Sequence, residues 1–334
     1  MGKLKTILRY ARKIDIRNML KIIKKISKKA NKNVIFIFFD VIYCGLSYGA
    51  GYYDYQEFEF YLLNRKQRKT YLTRTKNNLI VKKYNNPDYF YKFDDKSIFN
   101  DIFKKYLKRD YLVLTKNSFD EFKSFLGKHS EIIVKPLDGE GGKGVEKYSI
   151  NKKTDLKKLF NNIIKNKQFL IEECVRQHSD INKLYSKSVN TLRLFTFFDG
   201  KNAYVMNSVF KIGNGGVTDN FSSGSMYTFV NDEGVIIVPA IDQGDNIFVK
   251  HPLTNVKITG FKVPLYKEAC DLVINAAKEI PEVKYVGWDV AISEKGPVII
   301  EGNSFPGVFQ VKPSLSSNKE GLIPKYQKIM EIEL

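Results

Sequence analysis

Along the first thirty residues apolar side chains return at about every third or fourth position: Leu4, Ile7, Leu8, Ile16, Met19, Leu20, Ile22, Ile23 and Ile26. Between them stand eleven basic residues (Lys3, Lys5, Arg9, Arg12, Lys13, Arg17, Lys21, Lys24, Lys25, Lys28, Lys29) against the single acid Asp15. The spacing predicts a basic amphipathic helix, or a pair, able to dock on its own domain or to lie on an anionic membrane surface, docking being the favoured reading. The next window, VIFIFFDVIYCGLSYGA at 34–50, is the most apolar of the chain, yet Asp40 leaves an uninterrupted run of only six residues. A spanning helix needs ~20, so the pattern predicts a buried helix. Residues 31–114 as a whole are aromatic-rich and helical in period, with a break expected around Asn85-Asn86-Pro87.

From about Tyr111 the period shortens. Strand-like runs occur at 112–114, 131–136, 169–175, 192–198 and 203–212, and helical patterns at Ser118–His129 and Thr154–Lys165. A helical stripe (Leu265, Ala269, Leu272, Val273, Ala276, Ala277, Ile280) runs between Pro264 and Pro281. Two strands, WDVAIS at 288–293 and PVIIEGN at 297–303, close the segment. Strands broken by helices without a regular βαβ rhythm predict an α+β fold. The expected blocks are a basic segment 1–30, a mainly helical region 31–114 and a catalytic domain 115–334.

The chain has 334 residues, long enough for two or three lobes, and a net charge of +19. About half of that excess sits in residues 1–30; the rest is diffuse, so nucleic acid is not the expected partner. Cys44, Cys174 and Cys270 are scattered and form no C-x-x-C pair, which argues against a disulfide framework and a thiolate metal site. Without a secretory signal pattern in the first 30 residues, the expected location is the cytoplasm, with peripheral contact at the inner face of an anionic membrane through residues 1–30 as an option.

The stretch IIVKPLDGEGGKGVEKY at 132–148 sets a lysine at the end of an apolar run and follows it with four glycines. Gly139, Gly141 and Gly144 satisfy G-x-G-x-x-G, but a dinucleotide fold needs a helix immediately after the loop, whereas VEKYSI has strand character. Lys143 is followed by glycine, so the P-loop pattern fails, and no H-R-D or D-F-G accompanies a kinase-type loop. The loop is predicted to be a β-hairpin tip, either an ordinary turn or a flap whose bare amides close over phosphates beside Lys135. In the hairpin 288–303, a turn centred on Lys295 sets Asp289 opposite Glu301, with Asn303 two residues further on the same face. Opposed carboxylates repel, and flanking apolar residues argue against a solvated hairpin; a divalent cation such as Mg²⁺ held by three oxygen donors accounts for the pattern.

Together these stretches resemble the ATP-grasp enzymes, in particular the sugar-transfer-associated group. The resemblance covers roughly 40–311 and implies two α+β lobes, about 115–173 and 174–334, clamping ATP. It makes Lys96 in DDKSIFNDIF and Lys135 the ATP-contacting lysines, and Gly141, Gly142, Lys143 and Gly144 the phosphate loop. FLIEECV, with Glu172, Glu173 and Val175, would bind the adenine edge, and His178 or Asp180 the ribose. Asn190, Thr191 and Arg193, with Asp219, Asn220 and Gly224, would face the substrate. Asp289, Glu301 and Asn303 would hold Mg²⁺; Lys135, Arg193 and Asn303 would serve the reaction itself.

The activity so implied is ATP- and Mg²⁺-dependent joining of a small-molecule acid and an amine, either of them sugar-linked, through an acylphosphate, in surface or capsular polysaccharide biosynthesis. Transfer of phosphate to a sugar hydroxyl on the same fold is one alternative; a basic membrane- or RNA-binding module is another.

Overall fold

A computed structural model describes residues 15–139, 142–216 and 224–334. The chain groups into two compact units, one formed by residues up to 79 together with 307–334, the other by 80–306. These units cut across the blocks 1–30, 31–114 and 115–334 expected from sequence.

In the first unit a helix spans Ile16–Ala30. Asp15 starts it by accepting the Asn18 N–H at 3.0 Å, and Asn31, in left-handed conformation, ends it. Met19, Ile22, Ile23 and Ile26 turn into the core, which is the docking arrangement; residues 1–14 of the expected basic segment lie outside the described residues. The next helix, Val34–Tyr48, corrects the expectation of a buried helix. Only Ile37, Val41, Cys44 and Tyr48 are buried, and the opposite face is open. A helix apolar all round has no polar face to give to solvent, so covering one side leaves the other bare. Asp40 sits at the boundary, held by both Arg68 guanidinium nitrogens (2.7 and 2.6 Å) and by the Tyr55 hydroxyl. Among the described residues no helix is long and apolar enough to cross a membrane.

The C-terminal segment completes this unit. Gln310 forms a two-way amide bridge to Leu72, and the Gly321 N–H donates to the Thr70 hydroxyl at 2.9 Å. Glycine is required at 321, since a Cβ there would lie 2.5 Å from the Thr70 carbonyl oxygen.

The second unit holds two antiparallel sheets. The smaller has the order β1-β4-β2-β3, with β1 Tyr111–Val113, β2 Glu131–Lys135, β3 Glu146–Ser149 and β4 Leu170–Glu173. Helices Phe119–Lys128 and Leu156–Lys165 cover one face, burying Phe122, Phe160 and Ile163 with Ile132, Val134 and Ile171. The larger has the order β11-β10-β5-β6-β7-β8-β9. Its strands are β5 Thr191–Phe198, β6 Ala203–Ile212, β7 Met226–Phe229, β8 Ala240–Ile241, β9 Ile247–Phe248, β10 Tyr285–Ser293 and β11 Gly296–Asn303. Sequence periodicity gives all of these but β7 to β9, which are too short or interrupted to show a period. Trp288 anchors the large core, fully buried among Phe93, Phe99 and Phe103, with its indole N–H on Thr196. Gly302 lies opposite it; a Cβ there would come within 2.9 Å of the Phe99 ring. The helix Arg74–Tyr84 ends at the expected break, where Asn85 donates to the carbonyls of Tyr285 and Ser304 and accepts from the Tyr285 N–H.

Candidate functional site

The residues after β2 form a hairpin tip, as expected: Glu131 to Val134 pair antiparallel with Ser149 to Glu146. Gly142 and Gly144 have φ of 72° and 73°, and a Cβ on Gly144 would sit 2.9 Å from the Pro136 ring, so glycine is needed there on both counts. Gln168 fixes the base of the loop by donating to the Gly144 carbonyl and to Glu146. Gly141 lies outside the described residues.

Alternation along β2 sends Ile132 and Val134 into the core and Ile133 and Lys135 to a cleft. Register places Glu172 opposite Ile133, diagonal to Lys135, and the two side chains meet at 2.7 Å. Glu172 also accepts from Asn100 and Arg109. Burial alone would raise its pKa, but the charges of Arg109 and Lys135 outweigh that and push it down to about 2. Lys96 borders the same cleft and donates to the Gly139 carbonyl at 2.9 Å; partial burial, then the like charge of Lys135, lower its pKa. Lys96 and the Glu172-bound Lys135 thus face one opening.

The opposite wall is the large sheet. Val209, Arg193, Asp289 and Glu301 are successive cross-strand partners over β6, β5, β10 and β11, and Lys211 stands diagonal to Arg193. Arg193 grips both Asp289 oxygens (2.5 and 2.7 Å), and Lys211 reaches the second at 2.9 Å. Burial would raise Asp289; the Arg193 and Lys211 charges hold it far below the carboxylate range instead. Lost hydration in the cleft and the like charge of Asp289 push Glu301 up. Asn303 uses its amide N–H₂ on the Gly287 carbonyl, at a long 3.4 Å.

The expected pairing of Asp289 with Glu301 is present for a reason the sequence hides. The turn is tighter than one centred on Lys295: Ser293 pairs with Gly296 and Val290 with Ile299. Continued without a break, that register would set Ile300 against Asp289 and turn Glu301 to the other face. A bulge at Ile300 restores the pairing. The guanidinium of Arg109 closes over it, donating to the carbonyls of Ile299 (2.5 Å) and Ile300 (3.3 Å) while also holding Glu172. Arg109 thus ties the bulge beneath the acidic pair to the carboxylate that holds Lys135.

Not every expected residue reaches the cleft. Glu173 lines it, but its carboxylate accepts the Asp110 N–H; Val175 and Thr191 line it too. His178 caps the helix Ser179–Leu184 through the Asp180 N–H, and Asp180 pairs with Lys183, so neither borders the cleft as a ribose ligand would. Asn190 is fully buried, its amide spent on Gln177, Tyr185 and the Gly213 N–H, which leaves nothing for a substrate. Gly224 has φ of 90°; Asp219 and Asn220 lie outside the described residues. Arg109 and Lys211, both on the cleft, escape sequence reasoning. The signal for Lys211 is faint: a lysine closing the apolar run SVFKI, where the alternation would favour the interior.

The donor set fits a divalent cation in part. Glu301 reaches the cleft and the Asn303 amide, held by its nitrogen, can turn its oxygen to a cation, whereas both Asp289 oxygens are engaged by Arg193 and Lys211 and would coordinate only by giving up one of those bonds.

No curated protein sequence matches. Among solved structures the chain is similar to D-alanyl-alanine synthetase A from Vibrio cholerae O1 biovar eltor, with 15% identity, 71% of this chain and 60% of that one covered, and a TM-score of 0.40. It is similar also to the ATP-grasp ligase PsnB complexed with a minimal precursor (14% identity, 74% and 63% covered, TM-score 0.41) and to a D-alanine–D-alanine ligase from Bacillus anthracis complexed with ATP (18%, 72% and 61%, 0.39). The chain thus spans 60–63% of the lengths of these proteins. The profile of one sequence family, described as sugar-transfer associated ATP-grasp, matches residues 75–331. With most of its length inside that match and its glycine hairpin facing an acidic β-ribbon, the chain belongs to the sugar-transfer associated ATP-grasp family.

Proposed function

We propose that the protein is an ATP-dependent ligase that joins a small-molecule carboxylic acid to an amine, either of them sugar-linked, in surface or capsular polysaccharide biosynthesis. The observation that carries this reading is a single cleft with Lys96, Lys135 and Lys211 around one opening and an acidic pair on the wall. Lys96, Lys135 and the amides of the hairpin tip would hold the triphosphate, with Glu172 keeping Lys135 in place from below. Glu173, Cys174 and Val175 line the cleft where the adenine edge would lie. Asp289, Glu301 and Asn303 would hold Mg²⁺, which when bound neutralises phosphate charge and orients the phosphoryl group.

In the reaction an oxygen of the substrate carboxylate attacks the γ-phosphorus and ADP leaves. The amine nitrogen then attacks the acylphosphate carbonyl with its lone pair, the C–O bond to phosphate breaks with its electrons going to phosphate, and the nitrogen gives up one proton to the departing phosphate as the amide forms. Arg193 and Lys211 place positive charge on the wall where negative charge accumulates. ATP supply and three free cysteines fit the cytoplasm.

The test is ADP and phosphate release over panels of acids and amines, with mass analysis of products. Asp289→Asn or Glu301→Gln should lower the rate at least ~10²-fold while the protein still folds. A stable phosphorylated hydroxyl product without free phosphate would make the enzyme a kinase and overturn the ligase step. Absence of ATP binding by calorimetry would overturn the site itself.

A further inference from the structure

The helix Val34–Tyr48 carries a surface that neither the cleft nor the unit's own core uses. Ile35, Phe39, Ile42 and Leu46 recur at i, i+4, i+7 and i+11 and are 62, 65, 42 and 65% exposed, with Phe36 (56%) and Tyr43 (41%) alongside. The stripe lies diametrically opposite the buried positions Ile37, Val41, Cys44 and Tyr48 and runs for about 16 Å. Single exposed apolar residues are ordinary, but six on one helix face form a patch that needs a partner.

The charge around the stripe selects that partner. Lys32 stands 5.8 Å from the Phe36 ring centroid, and Arg65 is near enough to Tyr43 to help lower its hydroxyl pKa, after the hydrogen bonds from Tyr48 and Ser47. The preceding helix exposes Ile16 and Leu20 beside Arg17, Lys21, Lys24 and Lys28. Among the described residues 15–79 the acids are engaged elsewhere: Asp40 is held by Arg68, Asp54 and Glu57 by Arg74 and Glu59 by Lys29, while Asp15 caps its own helix. Residues 1–79 and 307–334 together hold 22 Lys/Arg against 8 Asp/Glu, so +14 of the net +19 belongs to this part of the chain.

A second copy of the same face would bring two strongly positive surfaces together. Residues 1–14 hold five cations and no acid, so laying them on the stripe repeats that conflict. A nucleic acid would satisfy the lysines but gain nothing from Ile35, Phe39 or Leu46. A surface that is anionic outside and apolar just beneath satisfies both.

We propose that the exposed face of the helix Val34–Tyr48 is a docking surface for an anionic phospholipid bilayer. Ile35, Phe39, Ile42 and Leu46 sink to the level of the upper acyl chains, and the surrounding lysines and arginines meet the headgroups. The helix Ile16–Ala30 contributes mainly charge, because Met19, Ile22, Ile23 and Ile26 are spent inside the unit and only Ile16 and Leu20 stay exposed.

The experiment uses the full chain with vesicles of phosphatidylglycerol mixed with phosphatidylcholine, and with phosphatidylcholine alone. The wild type should co-sediment with the anionic vesicles only, and the triple variant Ile35→Ser, Phe39→Ser, Leu46→Ser should lose at least ~10-fold in partitioning. Lys21→Gln with Lys24→Gln and Lys28→Gln should weaken binding and flatten its salt dependence. The tail variant Leu4→Ser, Ile7→Ser, Leu8→Ser should keep binding. Hydrogen exchange on the wild type supplies a readout free of any folding defect: amides of 34–48 should gain protection with anionic vesicles.

Absence of vesicle binding, or equal binding by the stripe variant, overturns the proposal. So does loss of binding in the tail variant alone, or self-association that the stripe substitutions abolish without any vesicle binding. ATP binding measured on the same samples keeps this outcome separate from the ligase reading, on which it does not depend.

Discussion

Arg109→Met keeps an unbranched stem of similar length but removes every donor that Arg109 offers to Glu172, Ile299 and Ile300. Glu172 is held at about 2 against an ordinary 4.5, a gap that corresponds to about 3 kcal/mol favouring its carboxylate. Burial works against that balance, so the attraction from Arg109 and Lys135 is larger still, and assigning Arg109 half of the net figure is conservative. To this about 1.5 kcal/mol are added for the two bulge carbonyls left without a charged donor, about 1 each at most. The sum, about 3 kcal/mol, agrees with the 3–5 expected on breaking a buried ion pair from one side.

Urea unfolding at neutral pH should therefore show a lower midpoint at unchanged slope, and the melting temperature should fall by roughly 6–12 °C. The pH dependence has a definite sign. A carboxylate whose folded pKa is depressed contributes stability above its ordinary value and loses it as pH falls through the folded one, so this share fades from about 4.5 towards about 2. Wild type and variant should converge over that window. The affinity for Mg²⁺-ATP should drop as well, because without its donor the bulge relaxes and Glu301 no longer faces Asp289. A loss below ~1 kcal/mol would refute the energetic argument; a large loss with unchanged nucleotide affinity would refute the link to the acidic pair.

Gly144→Ala, which forces a Cβ against Pro136 at positive φ, should weaken ATP binding by roughly tenfold in calorimetry and, at about 1 kcal/mol of strain, lower the melting temperature by roughly 2–4 °C. Lys211→Met leaves Asp289 with one cation where it had two; its carboxyl then protonates at higher pH, and the acid-unfolding midpoint followed by circular dichroism should move upward. Asn190→Ala strips a buried amide of its partners and should cost about 2–3 kcal/mol in urea unfolding, with ATP affinity unchanged.

Much of the second unit was legible because its elements carry strong periods. The hairpin 131–149, the helix covering it at 156–165 and the long strands β5, β6, β10 and β11 fall within a few residues of their apolar patterns. The glycine loop and the acidic pair were legible as geometry, a hairpin tip and two carboxylates on paired strands, because glycine spacing and strand alternation report backbone shape directly. Arg109 and Lys211 were not: each is a lone cation whose meaning comes from a partner 60 to 190 residues away, Glu172 and Ile299 for one, Asp289 for the other. Asn190 and His178 misled because a polar residue in a motif reads the same whether its hydrogen bonds go to a ligand or to backbone. The helix Val34–Tyr48 misled because apolar content reports a tendency to leave water, not which neighbour receives it.

The pairing of 307–334 with the residues before 80 bears on the order in which the chain matures. During synthesis the unit of residues 80–306 is complete before Gln310 has emerged to meet Leu72 or Gly321 to meet Thr70. The unit of residues 80–306 can therefore fold on the ribosome while the basic unit still waits for residues 307–334. Any premature stop beyond residue 306 then damages the end of the protein that was made first.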